Sequence, residues 1–161
     1  MELRLDGGRY EKRVREALLS LPEWYVLGAR ISRVSISSDP EVLRERSIYR
    51  HQTRDVFLSP GIGSILLHVL SHEFAHGIDD GEPVSSPHRF SRSEDWTGVW
   101  RQARGFSHPK YRDSPQEYFA DSISTGVVQG LPTYRLAHPY EAAYILEVVI
   151  PTVKGESRNH D

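Results

Sequence analysis

The chain contains no cysteine. Disulfides, thiol nucleophiles and cysteine metal ligands are thereby excluded, and a cysteine-free chain fits the cytosol and the cell exterior equally well. There is no run of about 18 apolar residues, so no membrane span is expected. The opening MELRLDGGRYEKR has no apolar stretch behind a basic start. No signal peptide is therefore expected, and a secreted mature form and a cytoplasmic one both stay open. A basic field is missing too. The formal net charge is −2, and the one basic cluster, Arg44, Arg46 and Arg50, is broken by Glu45 and apolar residues. That pattern suits a solvated face, and nucleic-acid binding is not expected.

What is present is an ordinary globular composition. The 161 residues fit one domain, 1–161, large enough to bury a core without staples. A hydrophobic share of 38% with a charged share of 26% argues against disorder. A monomer is expected.

Arg9 to Leu21 reads as a helix on Val14, Leu18 and Leu21, stopped by Pro22. The β-branched run Arg30 to Ile36 and the short DVFLS segment, Asp55 to Ser59, read as strands. Glu41 to Arg46 supplies one or two helical turns. The strongest helical signal follows, with Ile62, Ile65, Leu66, Val69 and Leu70 at spacings of three and four. It continues through His72 and His76 to Asp79-Asp80-Gly81. Ser93 to Arg104 is a further helix, and residues 105–113 are irregular. Ser114 caps a helix that Pro115 opens and that runs to about Val128. A last helix spans Pro139 to Ile150, ending before Pro151. These elements predict an α+β fold, a small mixed sheet beside several helices.

The segment HEFAH matches H-E-x-x-H. Residues four apart on a helix share a face, so His72 and His76 can reach one ion. Zinc is the ion this pattern suits, because it takes imidazole ligands and brings a coordinated water's pKa towards about 7. Glu73 sits beside the first histidine, placed to accept that water's proton as general base. Catalytic zinc has three protein ligands and one open position. Candidates for the third are Asp79, Asp80, Glu82, His88, Glu94, Asp95, Glu117 and Asp121. The longer pattern H-E-x-x-H-x-x-G-x-x-H fails, since Asp79 replaces its glycine and Glu82 its last histidine. Glu117 and Asp121 form the better pair, four apart on one predicted helix. Glu117 would complete two histidines and a glutamate, unless it folds back to close a capping box with Ser114. Asp121 would then accept a hydrogen bond from a zinc histidine's free ring nitrogen. His68, one turn before His72, is read as packed or supporting.

HEFAHGIDD (His72 to Asp80) followed by SPQEYFAD (Ser114 to Asp121) resembles the catalytic domain of anthrax toxin lethal factor and is similar to the Pro-Pro endopeptidases. The resemblance implies a zincin-like fold with an H-E-x-x-H active-site helix. It also implies one catalytic Zn2+ on His72, His76 and Glu117, with Glu73 as base and Asp121 in support. It makes Tyr111, in KYRDSPQE, the donor to the oxyanion, at a spacing to Glu117 one residue shorter than the family's. Tyr118 would face the core. The expected activity is hydrolysis of peptide bonds in a protein substrate, as in a toxin, a secreted effector or a surface-protein protease. The substrate would lie extended along an edge strand at Asp55–Ser59, pairing by main-chain hydrogen bonds. Trp96 and Trp100, four apart, are assigned to the core ahead of a substrate subsite. Two rivals are a silent zincin-fold module that only binds peptide and a zinc hydrolase of a non-peptide amide.

Overall fold

Two short runs rich in β-branched residues form the middle of the fold. A computed structural model describes residues 1–4, 9–81, 89–103, 106 and 108–155. In it β1 (Glu2–Arg4), β2 (Arg33–Ile36), β3 (Ser47–Arg50) and β4 (Asp55–Leu58) make one mixed sheet in the order β1-β2-β4-β3. β1, β2 and β4 run parallel, with Val34 opposite Val56, and β3 returns antiparallel to β4. Asp55–Ser59 is therefore not an edge. β4 is hydrogen-bonded on both sides, and Val56 and Leu58 are fully buried. Among the described residues the edges are β1 and β3, and the residues of β3 are half-buried or exposed. Strand order depends on non-local pairing, which a run of residues does not announce.

Helices cover this sheet, so the fold is α+β. The first are α1 (Arg9–Ser20), α2 (Glu23–Gly28) and α3 (Pro40–Glu45). They are followed by α4 (Leu66–Asp80), α5 (Glu94–Gln102) and α6 (Pro109–Asp113), and then by α7 (Pro115–Gln129) and α8 (Leu131–Ala137). α4 starts at Leu66 rather than Ile62, because Gly61, at φ 81°, and Gly63 hold the preceding stretch as a turn. Leu66, Leu70, Phe74 and Ile78 recur every fourth residue along α4 and are buried. Each such side chain contributes about 1.5–3 kcal/mol on burial. Gly77 lets the helix come against the segment before β2, where a Cβ would lie 2.4 Å from the Ala29 carbonyl oxygen. Buried Tyr25 on α2 donates to the Ser71 carbonyl at 2.6 Å, clamping the helix from the same side.

Residues 108–113 are less irregular than their sequence suggests, and residues 105 and 107 lie outside the described residues. His108 Nδ1 accepts from the Lys110 N–H at 3.2 Å and Pro109 opens α6, so the short helix is capped from outside its apolar pattern. The last helix also outruns its expected end. α9 (Pro139–Tyr144) passes into a π-helical turn, Ile145–Val149, and then into α10 (Ile150–Val153). Pro151 has no N–H to give, and the wider turn before it, with Ile150 N–H on the Ile145 carbonyl, carries the chain past it. Among the described residues no helix is long and apolar enough to cross a membrane.

Candidate metal centre

α4 and α7 pack face to face, and the cleft beside them is walled by β3 on one side and α6 on the other. Its volume is about 500 Å³. His72 and His76 point into it from one face of α4, their rings 4.9 Å apart and nearly perpendicular. Glu117 reaches it from the first turn of α7. The Ser114 hydroxyl caps α7 by accepting from the Glu117 N–H, at 3.2 Å. The Glu117 carboxylate does not close the capping box. It turns out to the histidines.

His72 Nε2 lies 3.3 Å from Glu117 Oε2, and His76 Nε2 lies 3.5 Å from Oε1. Four ligands held at about 2.0–2.1 Å around a tetrahedron stand about 3.4 Å apart. The two histidine–Glu117 distances are near that spacing, and one ligand atom from each of the three side chains falls within 4.8 Å of the others. Glu117 Oε2 is sealed from solvent, with the Lys110 ammonium 2.8 Å away and His72 Nε2 at 3.3 Å. A carboxylate that draws an ammonium and two imidazoles to itself also fits a metal cation. Burial pushes the Glu117 carboxyl up, but His72, His76 and Lys110 outweigh it and hold the group well below the usual carboxylate range. Burial, and then the His72 ring, pull the His76 imidazole below its ordinary value. A neutral imidazole keeps the lone pair that a metal needs.

Glu73 is buried beside His72, and the Ser47 hydroxyl donates to its Oε1 at 2.6 Å from the edge strand. The next residues of β3 grip the same helix. Tyr49 lies parallel to the His76 ring, at 6.3 Å between centroids, and donates to Asp80 Oδ2 at 2.8 Å. Arg54, at the start of β4, donates to the carbonyls of Gly77 and Gly81 at 3.0 Å, closing the C-terminus of α4. Ser47, Tyr49 and Arg54 went unmarked in the sequence. Their only local signal is an alternation too short to separate a strand from a loop.

Tyr111 is buried on the opposite wall, its ring 6.4 Å from that of His72. Its hydroxyl faces the Asp121 carboxylate, and burial with that acid pushes the phenol up, so it stays protonated. Asp121 Oδ1 also lies 3.8 Å from His68 Nε2. The acid thus serves the tyrosine and the outlying histidine, where the sequence had it behind a zinc histidine. Burial lowers the His68 imidazole against the opposing pull of Asp121.

The other acids have other work. Asp79, fully buried, accepts from the N–H groups of Phe90 and Ser91 and from the Ser91 hydroxyl. Asp80 takes the Tyr49 hydroxyl, while Glu94 and Asp95 stand in the first turn of α5. Glu82 and His88 lie outside the described residues. Trp96 is wholly buried against Tyr118, Phe119 and Tyr144, in agreement with its core assignment. Its indole donates to the Pro115 carbonyl and that of Trp100 to the Tyr111 carbonyl, at 3.0 and 2.9 Å. Two tryptophans four apart on α5 thereby fix the corner that presents Tyr111 and Glu117. Tyr118, as expected, faces inward and meets Glu141. Comparison with protein-family models, curated proteins and solved structures finds no match.

Proposed function

We propose that this chain is a zincin-like zinc endopeptidase, similar in its site to lethal factor and the Pro-Pro endopeptidases. The observation that supports the reading is the convergence of His72, His76 and Glu117, with each histidine 3.3–3.5 Å from a Glu117 oxygen, near an edge of a tetrahedral zinc site. Zinc, when bound, supplies Lewis acidity and brings the ionisation of a water near neutral pH. Every other step belongs to the chain. Ser47 occupies one oxygen of Glu73, which leaves the other to take the proton of the attacking water and pass it to the leaving amine. Tyr111, a protonated phenol in the wall of the cleft, turns its one O–H from Asp121 to the oxyanion that develops on the scissile carbonyl. The substrate adds as an extended strand to the free edge of β3, beside the base.

The test is cleavage of a degenerate peptide library, read by mass spectrometry, with and without a zinc chelator. Cleavage that the chelator abolishes and added zinc restores is the expected result. Zinc uptake with no cleavage of any peptide would leave a binding module in its place. Tyr111→Phe is expected to lower kcat by about 100- to 1,000-fold with zinc affinity unchanged, the range for loss of one oxyanion donor. Unchanged kcat in that variant would move the role to another group.

A further inference from the structure

Among the described residues that line the cleft, Lys110 is the one lysine or arginine; the other charged side chains there are the acids Glu45, Glu73, Asp80 and Glu117. It stands on α6, across the cleft from β3 and one residue before Tyr111. Its ammonium lies 2.8 Å from Glu117 Oε2 and 5.4 Å from the centroid of the Tyr111 ring. The side chain is 47% exposed, on a flexible four-carbon stem, so the charge can move without disturbing the helix.

In the metal-free protein this ammonium balances the charge of Glu117. A divalent ion on the same carboxylate removes the reason for that pairing. Two cations would then compete for one anion, and a dication held also by His72 and His76 would displace the ammonium. The displaced ammonium stays in a half-enclosed cleft, on the same wall as the Tyr111 hydroxyl.

We propose that Lys110 is the specificity residue of this site and that it selects substrates carrying a carboxylate close to the bond that is cut. This rests on the zinc peptidase reading above. The carboxylate comes either from an Asp or Glu side chain or from the free C-terminus of the peptide. Both give the same charge-assisted hydrogen bond to an ammonium, stronger than a neutral one. The recognition is a displacement: the residue that neutralises a metal ligand in the empty site reads the substrate in the loaded one.

The test uses the full chain loaded with zinc. Library-selected peptides are compared in matched pairs, Glu against Gln at each position and free acid against C-terminal amide. Cleavage is measured with the wild type, and binding by calorimetry with Glu73→Gln. The carboxylate member is expected to be favoured about tenfold or more in both. Lys110→Gln should erase the preference, and Lys110→Glu should transfer it to peptides carrying lysine. Zinc affinity, read by competition with a chelator, should rise severalfold in Lys110→Gln because a competing cation is gone. Preference for internal Glu assigns the side-chain source, and sensitivity to amidation assigns the C-terminus. An acid preference that survives in Lys110→Gln overturns the proposal, as does its absence from the wild type, while zinc binding and cleavage would still stand. A wild type that binds no zinc overturns both readings together.

Discussion

Glu73→Gln protein is expected to take up zinc like the wild type and to hydrolyse peptides about 100- to 10,000-fold more slowly. The amide has the shape of the carboxylate and can still accept the Ser47 hydroxyl through its oxygen. What it lacks is a lone pair basic enough to take a proton from water. The side chain is buried and is not among the three groups placed to hold the ion, so fold and metal content should survive. The decisive comparison is kcat/KM beside the zinc content of the same sample. A fully loaded variant working near the wild-type rate would remove Glu73 from the chemistry. Loss of zinc along with activity would instead mean that the residue holds the site together.

Asp79→Ala should cost about 3–5 kcal/mol of stability. Asp79 is wholly buried at the end of α4, and its carboxylate takes two backbone N–H groups, at 2.9 and 2.7 Å, and the Ser91 hydroxyl, at 2.5 Å. Its own carbonyl accepts the Arg89 N–H at 2.7 Å. Truncation strands two buried amide donors, each worth about 1–3 kcal/mol unpaired. That is a large part of the 5–15 kcal/mol a domain commands. Asp79→Asn keeps one carbonyl oxygen for the amides and should lose less than the alanine variant. Urea unfolding of the three proteins gives the ordering. A loss under about 1 kcal/mol in the alanine variant would show that the chain around Phe90 is held by other means.

The two helices that carry the candidate ligands were legible because both signals are local. Ile62, Ile65, Leu66, Val69 and Leu70 at spacings of three and four mark α4, and Ser114-Pro115 marks the start of α7. His72, His76 and Glu117 follow from placing those helices. The competing use of Glu117 in a capping box is decided only by where α4 lies, which no local pattern encodes. β3 was lost because a four-residue strand with one apolar face has too few repeats to declare a period. With β3 missing, β4 looked like an edge, and the wall opposite Tyr111 went undescribed. Lys110 gives no signal at all. A lone lysine after a proline reads as surface, and its place beside Glu117 exists only after α6 turns the chain back over the cleft.

The hairpin β3–β4 is fastened to α4 at three levels, by Ser47 on Glu73, by Tyr49 on Asp80 and by Arg54 on the last turn. The β3 edge and Glu73, which the proposed mechanism uses as strand partner and base, thus share one frame, and in that mechanism the edge would act as a ruler. A peptide laid along β3 presents alternate side chains to the two faces of the sheet, so a slip of one residue turns every side chain over. Only slips of two residues, about 6.8 Å, return the same faces to the same walls. A substrate with a repeating sequence should therefore be cut at positions that differ by even numbers of residues.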